Sequence, residues 1–175
     1  MPHILRLGSD LVLEKPIRHG GLVIFQSDGN EPSKDSDETI IKLFNKDGDC
    51  QLQISIRPRD NVIGFNSQSR GGSSSAEELK PLGNYFAGPF CNITILDHRD
   101  HFEILSRYLT VHNFVKRHSG NTTNVAYGLS SGQTSCFSEV LVVSSYHSIK
   151  DLALAENSYF SEVKDDPENP LYAPH

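Results

Sequence analysis

The strongest constraint on this chain is its period. A series of short runs either alternates apolar with polar residues or is rich in β-branched ones: "HILRL", "GLVIFQSD", "TIIKLFN", "QLQISIR", "NVIGFNS", "NITILDH", "HFEILS", "LTVHNFVKR", "TNVAYGL" and "FSEVLVVSSY". Gly, Asp and Asn turns separate them. Successive side chains on a strand point to opposite faces, so a period of two buries one face and wets the other. Many such strands without interleaved helical segments predict an all-β, two-sheet antiparallel sandwich.

At 175 residues the chain suits one core. Residues 1–150 read as a single domain and residues 151–175 as a C-terminal extension, partly ordered or disordered, because the charged end carries three prolines and little periodicity. The stretch "IKDLALAE", at 149–156, predicts one or two helical turns. Residues 27–38 read as a charged, solvated connection. Residues 67–83 read as a Gly/Ser-rich loop suited to binding.

Composition excludes several classes. A formal net charge of -6 with no basic face argues against nucleic acid, and no run approaches the roughly 20 apolar residues of a membrane span. The start alternates like a strand rather than a secretory signal, which predicts cytoplasmic synthesis. Cys50, Cys91 and Cys136 are odd in number and far apart, matching neither a disulfide framework nor a zinc pattern. The acceptor-like triplets at Asn92 and Asn121 carry no weight without a secretory route.

"DHRDH", Asp97 to His101, packs two carboxylates and two imidazoles together but reads as a hairpin turn, without a locatable third protein ligand. No nucleophile elbow, phosphate loop or dinucleotide fingerprint is present. Glu77 or Glu78 is a carboxylate without an indicated catalytic partner. The expectation is no catalytic residue, no metal and no cofactor.

The unusual polar residues lie in "LQISIRPRDNVIGFNS". Leu52, Ile54 and Ile56 turn to the core, leaving Gln53, Ser55 and Arg57 on the other face, and Asn66 joins them if Ile63 and Phe65 point inward. Amides, a hydroxyl and a guanidinium fork suit the paired donors and acceptors of a sugar. Glu77 or Glu78 is then placed to hold Arg57. The competing reading is an ordinary solvated face.

These segments, together with "NITILDHRDHFEIL", "TVHNFVKR" and "GQTSCFSEVLVV", resemble the galectins, most closely a fungal branch that includes chitooligosaccharide-binding, galectin-related lectins. The resemblance implies a jelly-roll sandwich with a shallow glycan groove, no catalysis, a homo-oligomer (dimer or tetramer), and export to the outside or cell wall without a signal peptide. Of the family's groove residues, Arg57, Asn66 and Glu77 match; Gln53 stands for a His, and Ser55 is the intermediate polar residue. Ser74 falls where a Trp is expected and Leu79 where a second Arg is expected.

With Ser74, Leu79 and Arg70 as groove neighbours, the missing ring matters. About 100 Å² of lost apolar contact corresponds to roughly 2.5 kcal/mol. Arg70, Tyr85 or Phe86, or an N-acetyl group of the ligand, are the candidates to fill the gap. The resemblance therefore implies a lectin for oligosaccharides containing β-linked GlcNAc, GalNAc or galactose, with weakened or altered β-galactoside specificity. Its rival is a galectin-fold interaction protein that has lost sugar binding.

Overall fold

A computed structural model describes residues 3–6, 8–27, 38–83, 85, 91–107, 109–129 and 139–146. Residues 28–37 of the connection expected at 27–38, the helical turns at 149–156, the C-terminal extension, Phe86 and Cys136 lie outside the described residues. No helix occurs among the described residues, and none there is long and apolar enough to cross a membrane.

The strands are β1 (His3–Arg6), β2 (Ser9–Ile17), β3 (Leu22–Ser27), β4 (Thr39–Asn45), β5 (Cys50–Arg57) and β6 (Val62–Gln68). They continue with β7 (Glu78–Pro81), β8 (Cys91–Asp97), β9 (His101–Ser106), β10 (Leu109–Val115), β11 (Thr122–Leu129) and β12 (Glu139–Tyr146). One six-stranded sheet runs β1-β12-β3-β8-β9-β10 and the other β2-β11-β4-β5-β6-β7. Every described pairing is antiparallel.

The core lies between the sheets and follows the period-two code. Val23, Phe25, Ile93, Ile95, Phe102 and Ile104 face Ile41, Leu43, Leu52, Ile54, Ile56, Ile63, Phe65, Val125 and Tyr127. Leu52, Ile54, Ile56, Ile63 and Phe65 are all 0% exposed, so β5 and β6 present their apolar sides inward as their alternation requires.

Two strands depart from expectation. β2 and β7 occupy the two edges of the same sheet, and each carries a proline, Pro16 and Pro81. Edge strands tolerate a missing donor and avoid a strong apolar pattern, which keeps them from pairing with other chains. Residues 67–83 are thus not one continuous loop: Ser74 bridges Gln68, and Glu78–Pro81 joins β6.

The segment "DHRDH" turns between β8 and β9. Asp97 is buried, and both its carboxylate oxygens accept from the Lys116 ammonium, at 2.7 and 2.8 Å. His98 bonds Glu103 at 2.8 Å and stacks on His101. Among the described residues no group of three or more His, Cys, Asp or Glu is placed to hold a metal ion.

Candidate functional site

The β5–β6 register sets Gln53 opposite Asn66 and Ser55 opposite Gly64. Because paired residues share a face, the four lie together on the outer face of the second sheet, with Arg57 two residues beyond Ser55. Lys42 and Ile40 of β4 continue these rows beside Gln53 and Ser55. Gln53 and Arg57 remain partly exposed, whereas Ser55 is only 1% exposed. Ser55 therefore forms the floor of the patch, where its hydroxyl accepts from Gln53 Nε2 at 3.2 Å.

Arg57 is held by two carboxylates. Its Nε donates to Glu38 at 3.2 Å and its Nη2 pairs with Glu77. Burial works to lower the Arg57 pKa, but the bonds to Glu77 and Glu38 outweigh it and the net shift is upward. A guanidinium carries five N–H donors, and these bonds use two of them. The remainder are donors on a side chain 25% exposed, which suits hydrogen bonding to a ligand.

The neighbouring carboxylates have separate partners. Glu77 takes Arg57, while Glu78 pairs with His112 at 3.0 Å and Arg117 at 2.8 Å. Glu78 is opposite Phe65, and His112 stacks on the Phe65 ring with centroids 4.5 Å apart. One step along the chain thus separates a carboxylate over the patch from one turned toward the other sheet.

Three contributors were not legible as site residues. Glu38 ends the connection expected at 27–38 and is brought to Arg57 by the β4–β5 pairing. Gly64 permits the close approach seen here: a Cβ there would push the Glu77 carboxylate aside and come within 3.3 Å of Arg57 Nη2. A glycine inside a strand pattern was the available signal for this. Arg117 follows β10 and bonds Asn66 Oδ1 at 3.3 Å; no local motif marks it.

The expected groove neighbours separate. Leu79 is opposite Gly64 and 54% exposed, placing an apolar surface beside the patch where a cation was expected. Ser74 is exposed beside Gln68. The Arg70 backbone N–H bonds Asp49, and its side chain lies against Gly48 at the β4–β5 turn, away from Arg57 and Glu77. Tyr85 packs against the core and lines a cavity of about 380 Å³ with Ser106, Arg107 and Leu109. Tyr85 therefore does not take the place of the ring missing at Ser74.

The two-sheet fold is the one found in solved galectins. A tetrameric galectin from the ball sponge Cinachyrella superposes with a TM-score of 0.62 at 20% identity, over 83% of this chain and 100% of that one. Caenorhabditis elegans galectin LEC-6 does so with a TM-score of 0.61 at 15% identity, over 83% and 94%. No protein-family model matches the chain.

Sequence relatives narrow the assignment. The chain is 38% identical to Galectin-1 of Coprinopsis cinerea over 105 residues, 60% of this chain and 68% of the relative. It is 35% identical to Galectin-2 of the same fungus over the same shares. It is 30% identical over 145 residues to the anti-tumor lectin of Cyclocybe aegerita, 79% of this chain and 91% of that protein. The chain belongs to the fungal galectin family. Members of that family bind carbohydrate without catalysing a reaction, and this protein is not an enzyme.

Proposed function

We propose that this galectin is a lectin whose site is Gln53, Ser55, Arg57, Asn66 and Glu77, and that it takes oligosaccharides containing β-linked GlcNAc, GalNAc or galactose. The observation that carries this reading is the clamped guanidinium: Arg57 is held by Glu38 and Glu77 on the face shared with Gln53 and Asn66. A pre-oriented fork of donors loses little freedom when a ligand's oxygens arrive. Ser74 and Leu79 favour altered specificity, because a hydroxyl and an alkyl group replace the expected ring and cation. An N-acetyl group compensates by presenting a methyl and an amide to the exposed Leu79 side of the patch.

A shallow single site binds weakly, so useful avidity follows from several protomers engaging one glycan-coated surface. The proposed assembly is a homo-oligomer, acting outside the cell or at its wall after export without a signal peptide. A glycan array with the wild type and Arg57→Ala tests the site. Binding to GlcNAc-, GalNAc- or galactose-terminated glycans that disappears in the variant supports it; an array no stronger than the variant's background defeats it.

A further inference from the structure

The two sheets meet at a polar junction beside the proposed site. Arg117 spans it: Nη2 donates to Glu78 Oε2 at 2.8 Å, Nη1 donates to Asn66 Oδ1 at 3.3 Å, and the guanidinium carbon sits 4.8 Å from the Phe114 ring centroid. The planar fork makes two directed bonds while its carbon lies over an aromatic ring, a combination that an ammonium cannot reproduce.

The mount is firm. The Lys116 N–H donates to the Asp100 carbonyl at 2.9 Å, and the Lys116 ammonium is locked on buried Asp97. Beyond Arg117, the 0%-exposed Gln51 donates to the Gly120 carbonyl at 2.8 Å and accepts from the Thr122 hydroxyl at 2.9 Å. Asn45 Nδ2 adds a bond to the Ser119 carbonyl. A side chain in such a segment starts from a fixed base, so less freedom is lost in orienting its head.

Asn66 shows what this orientation does. Its Oδ1 also accepts the Ser67 backbone N–H at 2.8 Å. Two donors converge on one atom, and only the oxygen end of an amide accepts both. The amide is therefore fixed in one of its two flips, with Oδ1 occupied and the Nδ2 hydrogens left as the functional end. Without Arg117 a single bond holds Oδ1, and the other flip becomes accessible to a ligand offering a donor.

We infer that Arg117 is a positioning residue of the glycan site, supplied by the connection that leaves β10 of the opposite sheet, which locks Asn66 as a donor and so selects glycans that place an acceptor oxygen over it. This inference rests on the lectin reading for its ligand and on the free protein for its geometry. Arg117 provides a second arginine to the site from a non-local position, where Leu79 cannot.

The test has two readouts. In ¹⁵N-labelled free protein, the Asn66 side-chain amide pair is assigned by its loss in Asn66→Asp. Its order parameter is expected near the rigid-backbone value of about 0.85, falling below about 0.6 in Arg117→Met. Arg117→Lys, which retains a cation for Glu78 without the fork, is expected to preserve the fold better and still loosen the amide. Calorimetry with chitotriose and lactose is expected to show about tenfold weaker binding of the recognised sugar in Arg117→Met, corresponding to the loss of one oriented hydrogen bond.

Adding Asn66→Ala to Arg117→Met is expected to weaken binding less than Asn66→Ala does alone. An unchanged amide order parameter in a folded Arg117 variant overturns the positioning role, as does wild-type affinity in that variant. If neither sugar binds the wild type, their recognition fails, while the amide measurement still decides what Arg117 does. If Arg117→Met does not fold, Arg117→Lys carries both readouts.

Discussion

Two ion pairs, one at each sheet, show how the same chemistry serves different ends. Asp97 is 2% exposed and Lys116 10%; both carboxylate oxygens are used, Asp97 Oδ1 also takes the Arg99 N–H, and the ammonium lies 4.7 Å from the Phe102 ring centroid. That cluster closes on itself. Arg57 and Glu77 are 25% and 27% exposed, and the guanidinium has donors beyond its two carboxylate bonds. Burial and saturation, rather than charge, separate a structural pair from one suited to a ligand.

The largest expected effect tests the closed pair. Lys116→Met leaves the Asp97 carboxylate buried without its cation and should cost about 3–5 kcal/mol of stability. Urea denaturation measures it; a loss under about 1 kcal/mol would remove the distinction between the two pairs.

Burial of an ionisable thiol should produce the next effect. The Cys50 thiol is pushed up to about 11 from 9.0, chiefly by desolvation. Its folded pKa is raised, so its stabilising contribution is present below pH 9 and is lost as pH rises through 11. At 1.36 kcal/mol per unit, that loss is on the order of 2–3 kcal/mol. The stability gap between wild type and Cys50→Ala should narrow by this amount between pH 8 and pH 12; a constant gap would contradict burial as the cause.

Breaking the open pair should change stability much less. Arg57→Ala is expected to cost no more than about 1 kcal/mol, as for a partly exposed pair, while abolishing glycan binding by calorimetry. A large stability loss would place Arg57 with Asp97 and Lys116 instead. The smallest stability effect belongs to Gly64→Ala, expected within about 1 kcal/mol. Its new methyl displaces the Glu77 carboxylate from Arg57, so affinity should fall although neither charged residue is changed. Wild-type affinity in Gly64→Ala would show that close approach across β6 is unnecessary.

The strands most legible in the sequence are those with a clear inward side. β4 and β9 alternate buried with partly exposed residues, so their period reads directly. β2 and β7 escaped because neither shows a clear apolar side in its own sequence. Val12 is 69% exposed, and β7 has no buried residue. Their identity as strands depends on pairing with β11 and β6, at separations no short window contains.

The site divides along the same line. Gln53, Ser55 and Arg57 share a face because side-chain direction alternates along any strand, and the inward-facing Ile63 and Phe65 bring Asn66 to it. The order of residues also narrows the partner of Arg57 to two adjacent glutamates. Choosing between them takes the β6–β7 register, which turns Glu78 toward His112 and Arg117 and leaves Glu77 for Arg57.

By itself, then, the sequence determines alternation, the apolar layer and the polar row of β5, because these follow from backbone geometry over a few residues. Tertiary structure decides which carboxylates clamp Arg57, what Gly64 makes room for and how Arg117 reaches Asn66. Those contacts cross strands and sheets, where the distance between two side chains is set by register and packing rather than by their separation along the chain.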